Sequence, residues 1–298
     1  MPASQVQSAL LPEQSPKLLQ ALHLLTRGGD LNADALRKLK QINHLYGLLR
    51  PLLEPLWISA DGEPDAAPLL VDAGAGNGYL GFVLYELLLG PLGRGELWGV
   101  ETRSDLVARV RQRANELGFS RMHIAEASVA ALQQGQVPEL AGRKVEAVVA
   151  LHACDTATDD ALLLGISQQA PVIAVVPCCQ AELARLLGGG SAVRTPLGPL
   201  WRHPMHRREF GAHLTNVLRG LVLEAHGYQV TVTELTGWEH SLKNEVLLAR
   251  KVQNRNPLAL RQLNDLLDQL PPLPMRLLTE LGLVTADGRA PEPTRTEE

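Results

Sequence analysis

The sequence is short of most features that would mark a partner or a compartment. Among its 298 residues there are three cysteines, Cys154, Cys178 and Cys179, clustered in mid-chain. An odd, small number builds no disulfide framework, so a reducing compartment fits and a cytoplasmic location is expected. Their spacing, His-x-Cys followed by adjacent cysteines, is not that of a zinc site, and no metal is expected. Aromatic residues make up 4%, too few for a platform on which unpaired bases would stack. The net charge is −4, which excludes a global pull on nucleic acid and leaves only a local patch. No apolar run approaches the roughly 18 residues that span a bilayer. No basic segment leads into an apolar one at the amino terminus, so neither a membrane partner nor a signal peptide is expected.

What remains is ordinary for a globular protein, 45% hydrophobic and 20% charged, with length enough for a sizeable core. The organising stretch is Leu69-Leu-Val-Asp72 followed by Ala73, Gly74, Gly76, Asn77, Gly78 and Tyr79. An apolar run ending in a carboxylate, then glycines at alternate positions, then an apolar helical run reads as strand, turn and helix. Such a turn lets a ligand approach the backbone, because no Cβ atoms stand in the way.

Residues 1–68 read as an N-terminal helical cap, with helices over Pro16–Leu25 and Asp34–Leu49 and a break at Pro51 and Pro55. From 69 to 252 strands alternate with helices. Strands are expected at Leu69–Asp72, Glu96–Glu101, Met122–Ala125, Val145–Leu151 and Val172–Pro177. The helices between them run Tyr79–Leu89, Asp105–Leu117 (capped by Ser104), Val129–Gln134 and Ala157–Gln169. That alternation predicts a parallel sheet covered on both faces. Gly188 to Pro204 reads as irregular and Glu209–His226 as a helix. Two further strands, Gln229–Leu235 and Glu245–Lys251, lie too close together for a helical crossover and predict an antiparallel pair. Residues 253–298 read as a short helical appendage with a disordered tail.

The ligand follows from details around the turn. A dinucleotide turn wants Gly-x-Gly-x-x-Gly, whereas the third glycine position here is Tyr79. Asp72 would repel a pyrophosphate and tolerate a cation. Glu101 ends the second strand, where an acid accepts ribose hydroxyls, and Ala127 and Ser128 follow the third, in position to border a purine. A nicotinamide-dependent oxidoreductase is thereby disfavoured. A non-catalytic module keeping the same fold stays open.

With the closing antiparallel pair, these residues resemble the class I S-adenosylmethionine-dependent methyltransferases. The resemblance covers about residues 69–252 and implies a Rossmann-like seven-stranded α/β sheet with a reversed last strand. Ala150-Leu-His-Ala-Cys-Asp155 and Val176-Pro-Cys-Cys179 narrow it to methyltransferase domain family 32, with its Leu-His-x-Cys and Pro-Cys-Cys motifs. That group is similar to a tRNA ribose methyltransferase. Thr236-Gly-Trp-Glu-His-Ser-Leu-Lys-Asn244 is similar to its late His…Lys-Asn element. A glycine commonly follows the strand-four cysteine in the family; here it is Asp155.

The resemblance implies S-adenosyl-L-methionine as cofactor. Asp72 and the backbone of Ala73, Gly74, Gly76, Asn77, Gly78 and Tyr79 would hold its methionine end. Glu101 would take the ribose, Ala127 and Ser128 would border the adenine, and Leu151 and His152 would line the floor beneath the methyl group. Asp155, His240 or His152 could act on the nucleophile, as base or as orienter, depending on the acceptor. RNA is the favoured acceptor, through the basic run that holds Arg202, Arg207 and Arg208. A protein side chain or a small metabolite is the alternative.

Overall fold

The structure, a computed structural model, describes residues 10–58, 67–151, 153, 155–177, 180–235 and 245–291. Its centre is a seven-stranded sheet: β1 (Leu69–Ala73), β2 (Glu96–Glu101), β3 (Met122–Glu126), β4 (Ala147–Leu151), β5 (Val172–Val176), β6 (Tyr228–Glu234) and β7 (Glu245–Lys251). The spatial order is β3-β2-β1-β4-β5-β7-β6. β1 to β5 pair in parallel, and β7 runs antiparallel to both β5 and β6. The strand order reverses between β1 and β4, so a crevice opens above their carboxyl ends.

β1 shows how the sequence sets the layers. Every residue of Leu69–Ala73 is buried, and period two sends Leu70 to one core and Leu69, Val71 and Ala73 to the other. The first core is covered by α1 (Pro16–Ala21), α2 (Ala33–Ile58), α3 (Tyr79–Leu84) and α4 (Ser104–Leu117). The second is covered by α5 (Val129–Gln133), α6 (Thr156–Ser167), α7 (Glu182–Leu186), α8 (Pro204–Ala225), α9 (Pro257–Asp268) and α10 (Arg276–Glu280). The helices before 68 and after 253 are thus walls of the two cores, with Leu39 and Leu49 buried on one side and Leu263 and Leu277 on the other.

Several boundaries differ from expectation. α2 runs straight through Pro51 and Pro55. Both prolines are exposed, while Leu49, Leu53 and Trp57 on the opposite face are fully buried. An interior proline costs about 3 kcal/mol, and burying each leucine-sized side chain returns roughly 1.5–3 kcal/mol. Continuation of the buried stripe therefore decides. α3 passes into a π-helical turn at Tyr85–Leu89, where Leu87, Leu88 and Leu89 are buried in succession. Ser104 does not cap α4; Arg103 holds the extended cap position and Ser104 is the first helical residue. α8 starts five residues earlier than expected, because Pro204 occupies the first helical turn, where its missing donor costs nothing. The segment before it holds a short helix, Gly190–Val193. Among the described residues no helix is long and apolar enough to cross a membrane.

Candidate functional site

The turn after β1 is built from three left-handed glycines. Gly74, Gly76 and Gly78 have φ of 70°, 57° and 74°, a region that L side chains avoid. The N–H groups of Gly74 and Ala75 both donate to the Val100 carbonyl, at 2.9 and 3.0 Å, which ties the turn to the end of β2. At Gly76 a Cβ would meet nothing nearer than the Gly74 carbonyl oxygen, 3.9 Å away, so bare backbone faces the crevice. Gly78 serves packing instead: a Cβ there would stand 3.1 Å from the Phe82 ring and 3.2 Å from Val110.

Two acids frame this turn. Asp72 points into the first core beneath α3 and is 2% exposed. Burial pushes its carboxyl up to about 7; the Gly81 N–H hydrogen bond works against that rise, and the neighbouring Glu101 carboxylate adds to it. Gly81 leaves the room: its Cβ would lie 3.2 Å from Asp72 Oδ2. Glu101 Oε2 accepts from the Gly76 N–H at 2.9 Å, and Oε1 accepts from the Arg103 N–H at 3.0 Å and its guanidinium at 3.3 Å. Burial would raise this carboxyl, but the Arg103 and Gly76 donors outweigh it and hold it below the usual carboxylate range. Side by side, the two acids are pushed in opposite directions.

The crevice has a volume of 560 Å³. Of the residues expected at the ligand, Asp72, Gly74, Gly76, Asn77, Tyr79, Glu101, Ala127, Ser128 and Leu151 line it. Ala73 and Gly78 do not: Ala73 is packed into the second core, and Gly78 is turned toward Phe82. Ser128 also caps α5, its hydroxyl accepting from the Ala131 N–H at 3.0 Å. The lining also includes residues that the sequence did not single out, Arg103, Val129, Ala157 and Asp160 among them. Asp160 stands in the first turns of the helix that follows β4, a position the alternation of strand and helix already put at this edge.

Asp155 has a different task from the one expected of it. Its Oδ1 accepts from the N–H groups of Ala181 and Glu182, at 3.0 and 3.2 Å, capping α7 from outside, and Oδ2 meets Arg185 at 3.3 Å. It does not line the crevice. Its backbone has φ 50° and ψ −116°, a conformation suited to glycine. A carboxylate committed to a helix end is poorly placed to take a proton from a nucleophile. Behind it lies a buried network: Arg219 donates to Asp159 Oδ1 at 2.8 Å, to Asn216 Oδ1 at 3.2 Å and to the Asp155 carbonyl at 2.9 Å.

His152 and His240, like Cys154, Cys178, Cys179 and the whole of 236–244, lie outside the described residues. β6 runs parallel to β5, so its end at Glu234 and the start of β7 at Glu245 reach the same edge as the crevice. Arg202, Arg207 and Arg208 sit at the start of α8 and do not line the crevice. Arg208 pairs with Glu209 at 3.0 Å. Among the described residues no three acidic, histidine or cysteine side chains converge as metal ligands.

The lining suits a cationic nucleoside. Among the described residues its carboxylates are Asp72, Glu101 and Asp160, and its one arginine, Arg103, is paired to Glu101. The glycine turn leaves a path along bare backbone from the end of β2 to the end of β4.

Comparison with known proteins agrees with that chemistry. The model of a methyltransferase domain family matches residues 37–186, from within α2 to the end of α7. No curated protein matches. Solved structures with similar folds include a methyltransferase, PaMTH1, from Podospora anserina, bound to SAH (14% identity, TM-score 0.44, 84% of this chain and 94% of that one). Another is a putative caffeoyl-CoA O-methyltransferase from Staphylococcus aureus (8% identity, TM-score 0.46, 84% and 99%). A third is an rRNA methylase from Streptococcus thermophilus (12% identity, TM-score 0.40, 64% and 92%). Identities this low leave the acceptor open. The family match spans half of the chain and contains the entire described crevice lining; the chain belongs to methyltransferase domain family 32 and is an S-adenosylmethionine-dependent methyltransferase.

Proposed function

We propose that this enzyme methylates RNA, a tRNA or rRNA, with the cofactor held between the glycine turn and Glu101. The bound cofactor supplies an electrophilic methyl group on a sulfonium. The protein's part in such an in-line displacement is to hold the nucleophile roughly 3 Å from the methyl carbon and in line with the leaving sulfur. Asp72 and the turn fix the donor end, Glu101 fixes the ribose, and Leu151 and Ala153 at the end of β4 form the wall from which a nucleophile would approach. A ribose hydroxyl needs a proton acceptor, and His152 and His240 are the candidates; Asp155 is left to hold α7.

The observation that carries the RNA reading is the exposed cluster Arg202, His203, His206 and Arg208, with Arg207 beside it half-buried, at the start of the 22-residue α8. The positive end of a long helix and the arginines beside it attract phosphate together. α8 precedes β6, so its start lies toward the crevice edge. Exposed Met205 and Leu200, at 64% and 48%, add apolar surface beside the charge.

The test is transfer of labelled methyl from the cofactor into fractionated lysate of a strain lacking the protein. Label in the RNA fraction supports the proposal; label confined to protein or metabolite fractions replaces it. Arg207→Glu with Arg208→Glu should then lower RNA affinity steeply and flatten its dependence on salt.

A further inference from the structure

Once Glu101 takes the ribose, the base of the cofactor must extend along the wall made by the end of β3 and the helices behind it. The described residues of that wall are Ala127, Ser128, Val129, Ala157 and Asp160. Adenine presents a two-hydrogen donor at its exocyclic amine, and among the described side chains of this wall only those of Ser128 and Asp160 have acceptor atoms. The Ala127 N–H is a donor already given to the Glu101 carbonyl at 3.1 Å. The Ser128 hydroxyl accepts from Ala131, and Val129 and Ala157 have no polar side-chain atoms. Asp160 is the remaining side chain. α6, which carries it, packs along α5, whose cap is Ser128, so Asp160 and Ser128 face the crevice from one wall.

Asp160 is also held in place from far along the chain. Its Oδ1 takes the Arg276 guanidinium, and the Arg276 backbone N–H donates to Glu182 Oε1 at 2.9 Å. Met275, Leu277 and Leu278 around that arginine are fully buried, so the guanidinium is delivered by a packed segment. Oδ2 of Asp160 receives no hydrogen bond from another described residue.

Resting on the cofactor assignment above, we propose that Asp160 is the residue that reads the base: its Oδ2 accepts the exocyclic amine of adenine, while Arg276 fixes the carboxylate by its other oxygen. Hypoxanthine, which has a carbonyl oxygen where adenine has the amine, would set oxygen against oxygen. The site is therefore specific for adenine through a residue outside the glycine turn, and its geometry depends on the segment around 276.

The test compares binding of S-adenosyl-L-homocysteine and S-inosyl-L-homocysteine to the full chain by calorimetry. Wild type should prefer the adenine compound by about tenfold or more, since a site built around a donor rejects a ligand lacking it. Asp160→Asn, which can donate as well as accept, should bring the ratio close to one. Arg276→Gln should lower the ratio, and Arg276→Lys should restore part of it. A wild-type ratio near one overturns the proposal without any variant, and so does an unchanged ratio in a folded Asp160→Asn protein. Failure of wild type to bind either compound would instead remove the cofactor assignment on which the proposal rests.

Discussion

Arg219 and Asp159 form an ion pair 2.8 Å long in which each side chain is 1% exposed. The pair joins α8 to α6, and the same guanidinium holds the Asp155 carbonyl at 2.9 Å. Burial raises the Asp159 carboxyl while Arg219 draws it back down. Removing one partner leaves the other charge buried and unpaired, which costs about 3–5 kcal/mol. Arg219→Leu should therefore destabilise the protein by that amount in urea unfolding. Arg219→Leu combined with Asp159→Leu should cost clearly less than the sum of the single changes.

Asp72 gives a pH signature. Burial in the folded chain pushes its carboxyl from the ordinary value of 3.8 up to about 7. Between those values the folded chain holds a proton that the unfolded chain has lost, so this group's contribution to stability falls as pH rises through the window. A cationic ligand favours the ionised form. Cofactor binding near pH 7 should expel a fraction of a proton, and affinity should weaken below it. Calorimetry in two buffers of different ionisation enthalpy measures the release; Asp72→Asn should abolish it.

Glu101 serves the turn and the ribose together. Glu101→Gln removes the charged acceptor for the Gly76 N–H and for Arg103 as well as for the ligand. Loss of charged hydrogen bonds of this kind should weaken cofactor binding by about 1–3 kcal/mol, roughly 5–150-fold. Equal affinity of wild type and variant for S-adenosyl-L-homocysteine would contradict the placement.

The backbone at Asp155, with φ 50°, predicts an order of variants. Both Asp155→Gly and Asp155→Ala lose the cap on α7, but only the first relieves the backbone. Asp155→Gly should be the more stable of the two by about 1–2 kcal/mol in thermal unfolding.

Much of the central sheet could be read in advance, because buried parallel strands are short apolar runs punctuated by glycines and acids. Glu96–Glu101 and Glu245–Lys251 have the expected bounds. Most of the crevice around Asp72 and Glu101 was legible for the same reason: strand ends in this topology converge wherever they fall in sequence. Other features left no local mark. Arg276 meets Asp160 across 116 positions, and Arg219 meets Asp159 across 60, with no periodicity to announce either. Pro51 and Pro55 sent a local signal that tertiary burial overrode. Asp155 looked like chemistry because it is an acid at a strand end; only its backbone angle and the α7 amides reveal its structural task.

The reversed strand has a consequence for where the chain can be cut. β5, Val172–Val176, is wholly apolar and finds one of its neighbours in β7, some seventy positions later in the sequence. A fragment limited to the family-matched stretch 37–186 would leave β5 as an open edge without charge or proline, a template for pairing with another copy. It would also strip Leu277 and Leu278 from the outer side of α6. The later part of the chain thus covers the apolar edge and the outer helix face that such a fragment would expose.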